Sequence, residues 1–262
     1  MSWWEWKKAR ASSSSGFAAS NKGVSMAILA FLFYYITPYI AVAVFFGGLA
    51  YRVYRWWRAK PVAAHLSLFP RPQGRLGRLL DALVDMFTLK GLLRVNPLLW
   101  VGGFIMHLGL LFVLVGHIRA FTDFYFLWKL LNWGKEQQHT FSAIAGTIAG
   151  TLFTVPLFYL LARRWSGAVK WLSVPEDFFV LFLLIGIALT GFHMRLLRTV
   201  EVEELHRFFA GLASFRWQPV PESAGPAFIW HFALVQLLMV YFPFGKLSHI
   251  IGSVLSKMVA RS

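Results

Sequence analysis

The sequence predicts an all-α, polytopic membrane bundle of five transmembrane helices, with the N-terminus outside and the C-terminus cytoplasmic. Apolar residues make up 58% of the 262 residues and charged residues only 14%, whereas a soluble domain carries about 25% charge. The apolar residues fall into runs long enough to cross a hydrocarbon layer. Between the first two runs, Arg52, Arg55, Arg58, Lys60, Arg71, Arg75, Arg78, Lys90 and Arg94 face only Asp81 and Asp85. That excess of basic residues places the connector in the cytoplasm and sets the direction of every later span.

Residues 1–25 read as a polar lead with an aromatic and basic patch and no signal-peptide order. The first span runs from about Met26 to Tyr51, with Pro38 inside it as a candidate kink. Within the basic connector, residues 52–96, Leu79, Leu80, Leu83, Val84 and Phe87 recur at helical spacing, which predicts a short amphipathic helix against membrane lipid or a partner. The second span covers about Pro97 to Ile118. The third runs from His139 to Ala162, and Ala143, Gly146, Ala149 and Gly150 give it a surface for close helix contact. A fourth span extends from about Val174 to Leu197. The connector after it carries Glu201, Glu203, Glu204 and Glu222 and is expected outside. The fifth span begins near Pro226 and contains the stretch Trp230 to His249, with residues 253–262 left as a cytoplasmic tail.

The formal charge of +15 does not argue for nucleic acid, because the basic residues sit beside apolar runs, where anionic lipid or a cytoplasmic partner meets them. Cysteine is absent, which excludes disulfides, cysteine zinc sites and thiolate-held iron–sulfur clusters in this chain. The glycines form no nucleotide-binding fingerprint, since no strand-to-helix setting surrounds them.

Four of the eight histidines lie in the second and fifth spans. His231 and His249 are eighteen residues apart, so on a straight helix they share one face about 27 Å apart. His107 and His117 are ten apart, a rise of about 15 Å with a turn of about 80° between them. In antiparallel spans His117 matches His231 in level and His107 matches His249, with a spacing mismatch of about 12 Å left for tilt or a break at Phe242-Pro243-Phe244-Gly245 to absorb. Ionisable groups in apolar spans are costly and functional by default. Two neutral imidazoles from facing helices fill the axial positions of a b-type haem without adding charge to hydrocarbon, and a helical bundle encloses the macrocycle. A transporter or proton relay built on the same histidines is the competing reading, and a structural anchor without haem is a third.

The Gly116-His117 dipeptide, the ten-residue histidine interval, and His231 followed by FPFGKLSH ending at His249 resemble the gamma subunit of respiratory nitrate reductases and the related membrane cytochrome of sulfite-reductase-associated complexes. The resemblance spans residues 26–252 and is strongest in the second and fifth spans. It implies a dihaem cytochrome b of the cytoplasmic membrane, exchanging electrons between quinone or menaquinone and a cytoplasmic iron–sulfur or catalytic subunit. It further implies that His117 and His231 hold an outer haem b, and His107 and His249 an inner one. The long basic connector favours the sulfur-associated branch. Quinone chemistry is expected beside the outer haem, bounded by Gly116, His117, His139 at the start of the third span, and His193, which lies level with the outer haem and is also the competing candidate for its ligand. Of the remaining histidines, His65 is expected to be solvated and His206 interfacial.

Overall fold

In the computed structural model the described residues are 23–58, 74–167, 169–197, 199–249 and 252, and they form helices joined by short turns. The lead up to residue 22, His65 and the tail 253–262 lie outside them. Four helices are long and apolar enough to cross a membrane: α1 (Gly23–Arg58), α3 (Pro97–His117, continuing as a tighter turn to Ala120), α4 (Lys135–Trp165) and α5 (Pro175–Leu197). Two amphipathic helices, α2 (Arg75–Thr88) and α6 (Val202–Ala213), lie in the connectors, α7 (Pro226–Tyr241) follows the second, and short helical turns occupy Lys90–Val95, Tyr125–Leu130 and Val169–Leu172.

The expected count of five transmembrane helices is therefore corrected to four. Helix α7 has only 16 residues, a length of about 24 Å where about 20 residues are needed to span hydrocarbon. Its end has a covalent cause. Pro243 has no N–H to donate to Met239, and its ring clashes with that carbonyl, so the helix stops two residues earlier. The cytoplasmic C-terminus inferred from five crossings loses its basis with that count.

Pro38 has a milder effect in α1. The helix passes through it, but the preceding residues Leu32–Ile36 widen into a π-helical turn, the usual way of accommodating a proline's missing donor. The Thr37 hydroxyl donates to the Phe33 carbonyl at 2.8 Å, which satisfies a group that the altered ladder would otherwise leave bare.

The bundle is an arc in which α3 packs on α4, α4 on α5, α5 on α7, and α7 on α1. Its tightest seam is α3 against α4, where Gly109 lets the two backbones approach so closely that an added Cβ would stand 2.5 Å from the Phe153 nitrogen. The core of this half consists of Phe153, Leu157, Leu161, Leu181, Ile185 and Ala188. At the opposite end from the basic connector, α6 folds back so that Phe208 is fully buried against Phe228 and Phe232 of α7. Tyr34, Tyr35 and Tyr39 of α1 line the same cluster. Outward-facing residues such as Leu111, Phe112, Leu114 and Phe182 are exposed, as expected of helices whose solvent on that side is lipid.

Candidate functional site: two facing histidine pairs

The two ends of the α3–α4–α5–α7 arc approach each other through imidazoles. His117 and His231 have ring centroids 6.1 Å apart and planes inclined by 14°. His107 and His249 have centroids 6.0 Å apart and planes at 90°. The structure thus brings together the pairs matched by level in the sequence. It also removes the spacing mismatch. From His231 to Tyr241 the helix rises about 15 Å, as does α3 from His107 to His117. Beyond Tyr241 the chain turns through Phe242–Gly245 into the short 3₁₀ segment Lys246–Ser248, so His249 is not carried further along the axis. The straight-helix expectation for Trp230–His249 is corrected accordingly.

The hydrogen bonds define each ring's chemistry. His107 Nδ1 lies 2.7 Å from the Gly103 carbonyl, and His117 Nδ1 lies 2.7 Å from that of Val113. His249 Nδ1 is 3.0 Å from the Lys246 carbonyl. His231 Nδ1 is 3.0 Å from the Ile187 carbonyl and 3.1 Å from the Thr190 hydroxyl. A carbonyl can only accept, so Nδ1 is the donor in all four rings, and Nε2 is the nitrogen left to meet a ligand. A ring oriented through Nδ1 in this way presents Nε2 in the direction a metal would need.

This arrangement fits a flat macrocycle holding one iron between two imidazoles. Metal–nitrogen bonds of about 2 Å on either side put the two nitrogens about 4 Å apart and the ring centroids about 6 Å apart. Among the described residues no group of three or more histidine, cysteine or carboxylate side chains could hold a bare metal ion. Two imidazoles per level are enough where the metal brings its other donors with it, as in haem.

A sequence profile described as nitrate reductase gamma subunit matches residues 90–261, which includes both histidine pairs. The chain belongs to that family. Two archaeal relatives share most of its length. The cytochrome b-like subunit of an Hdr-like menaquinol oxidoreductase from Archaeoglobus fulgidus is 28% identical over 257 residues, 83% of this chain and 76% of the relative. Its counterpart from Archaeoglobus profundus is 24% identical over 259 residues, 84% of this chain and 75% of the relative. This member of the gamma-subunit family thus has the helices of a multi-pass membrane protein and is similar along most of its length to cytochrome b-like subunits of menaquinol oxidoreductases.

The other expected site residues of this gamma-family chain are placed differently. Gly116 is exposed beside His117, and no atom outside its local helix stands within 4 Å of a Cβ built there. His139 is exposed at the start of α4. His193 is exposed on α5, and its direction follows from Gly191, whose added Cβ would stand 3.1 Å from His231 Cε1. Two residues along a helix is a turn of about 200°, so the flank that carries His193 faces away from His231. No hydrogen bond or ring contact joins His139 or His193 to the His117–His231 pair among the described residues.

Sequence reasoning missed several supports of the site. Thr190 and Ile187 orient His231, and the signal was present only as a threonine beside the glycine of the Thr190-Gly191 pair. Directly after His117, Asp123 accepts from the Trp128 indole at 2.8 Å, the Phe124 amide at 2.9 Å and Arg119 at 3.2 Å, while Arg119 also donates to Ser142 of α4. Burial opposes ionisation of Asp123, but those hydrogen bonds and the Arg119 charge outweigh it and hold the carboxyl below the usual carboxylate range.

Proposed function

We propose that this protein is a dihaem cytochrome b that carries electrons between menaquinol in the membrane and a cytoplasmic iron–sulfur or catalytic subunit. The observation that supports it is the set of four imidazoles, each with Nδ1 committed to a backbone carbonyl, in two facing pairs at the spacing of a bis-imidazole metal centre. His117 and His231 hold one haem b, and His107 and His249 hold the other. When bound, the haems supply one-electron carriers at two levels of the bundle. A proton relay would need imidazoles linked through their ring nitrogens, whereas here each Nδ1 is occupied by an acceptor within the fold.

The end that carries Arg52, Arg55, Arg58, Arg163 and Arg164 faces the cytoplasm of the inner membrane, in keeping with the bias of basic residues. The His107–His249 pair is then on the partner's side and the His117–His231 pair on the far side. Menaquinol reacts beside Gly116 and His117, where an exposed glycine lets a flat ring approach. His139, exposed at the start of α4, accepts a proton there, and His193 stands on the flank from which a lipid-dissolved quinone arrives. The relatives' description as menaquinol oxidoreductase subunits supports oxidation over reduction.

The arrangement is tested by measuring haem reduction by a menaquinol analogue in His117→Ala and His249→Ala. The first is expected to lose the His117–His231 haem and quinol-linked reduction while keeping the other haem. The second is expected to keep a quinol-reducible haem. Rapid quinol reduction of the remaining haem in His117→Ala would place the pocket at the wrong end.

A further inference from the structure

The turn that presents His249 is held by charged side chains from outside it. Arg52 of α1 donates to the Pro243 carbonyl at 2.6 Å and to the Gly245 carbonyl at 3.3 Å. Glu176, at the start of α5, accepts from the Tyr241 hydroxyl at 2.6 Å and from the Lys246 amide at 3.1 Å. Its neighbour Asp177, 7% exposed, accepts from Lys246 Nζ at 2.7 Å and from Arg164 of α4 at 2.9 Å. The Lys246 carbonyl in turn accepts from His249 Nδ1. Two helices, α1 and α5, thus grip the segment Tyr241–Lys246 through its backbone, the Tyr241 hydroxyl and the Lys246 amine, with Arg164 of α4 bracing Asp177, and the last gripped residue is the one that orients the imidazole.

The turn needs such support. His107, His117 and His231 project from helices that packing fixes, but His249 comes after a proline break and a single 3₁₀ turn, with exposed Phe244 and Lys246 beside it. Pro243 is wedged against Gly48, where a Cβ would stand 2.6 Å from the proline ring, which locates the turn without setting the rotation of the residues from Phe244 onward. Charge-assisted hydrogen bonds are the stronger kind, and holding a ligand in productive geometry requires locked supporting residues.

Resting on the assignment of His107 and His249 as a haem pair, we propose that Arg52, Glu176 and Asp177 are positioning residues for His249, a two-helix clamp on the Tyr241–Lys246 turn that fixes the angle of its imidazole to that of His107. None of them touches the ligand ring. They act through the Lys246 carbonyl and the backbone of the turn. Arg52 therefore has a role beyond its part in the basic connector.

The test is the ferric low-spin electron paramagnetic resonance spectrum, together with redox titration, of the intact protein and its Glu176→Gln and Lys246→Met variants, separately and combined. Lys246 is 54% exposed, so its replacement leaves no cavity, and the His117–His231 haem reports whether the bundle is intact. The signal and midpoint potential of the His107–His249 haem are expected to shift in each single variant and further in the double, while those of the other haem stay unchanged. Arg52→Lys, which keeps a donor, is expected to shift that haem less than Arg52→Met. Unchanged signals in all variants, or equal shifts of both haems, would overturn the clamp. Haem-free wild-type protein would instead refute the ligand assignment and the clamp with it.

Discussion

Replacing Gly109 by alanine is expected to loosen the seam that holds the histidine-bearing helix α3, by an amount that the geometry bounds. The new Cβ would stand 2.5 Å from the Phe153 nitrogen and 2.6 Å from the Leu152 carbonyl carbon, roughly 1 Å inside ordinary van der Waals contact. Both atoms are backbone, so no side chain can rotate away and the helices must part. Overpacking a tight core costs about 1–3 kcal/mol, and a backbone-to-backbone clash belongs in the upper half of that range. Alanine returns about 1 kcal/mol through its better helix propensity. The net expectation is a loss of about 1–2 kcal/mol. The assay is thermal unfolding in detergent with haem retention monitored in parallel, and Gly47→Ala serves as the control because a Cβ there meets nothing within 4 Å. Gly109→Ala is expected to unfold earlier than the control and to lose haem first from the His107 level, two residues away. Stability equal to or above that of Gly47→Ala would refute the reasoning.

Gly191→Val is expected to remove the His117–His231 haem selectively, because even a single Cβ would stand 3.1 Å from His231 Cε1 and valine's branches would turn the ring away; a dithionite-reduced spectrum retaining both haems would contradict this. The Asp123 carboxyl is held below its ordinary range, so the folded chain binds fewer protons there than the unfolded one. Its stabilisation is full above the ordinary carboxylate range and is lost as pH falls through the lowered value. Acid thermal denaturation of Asp123→Asn is expected to lack that component, and an unchanged acid profile would count against the Arg119–Asp123 support.

The fold is legible where one-dimensional pattern determines it. Runs of apolar residues without charge are sufficient to mark α1, α3, α4 and α5, because the hydrocarbon imposes length and composition together. Helix α7 is misjudged from sequence because its composition continues apolar through Phe242-Pro243-Phe244, while the backbone stops at the residue before that run. Counting residues from His231 to His249 therefore overestimates their separation, and the break at Pro243 is what equalises the two levels. Levels along an axis depend on residue number, so the facing histidines can be matched. Azimuth does not. The exposed flank of His193 becomes visible only once Gly191 is placed against His231. Arg52 and Asp177 read as surface charge in a linear count, since their partners, Pro243 and Lys246, are distant in the chain and meet them only after α7 packs between α1 and α5.

The most direct measurement of the central claim is the haem content of the purified, fully loaded protein by pyridine haemochrome assay, combined with the dithionite-reduced spectrum. Two non-covalent haems b per chain are expected, with a split reduced absorption band from two inequivalent sites, whose imidazole planes are inclined by 14° and 90°. Protein that is folded and loaded yet holds one haem or none would contradict the account.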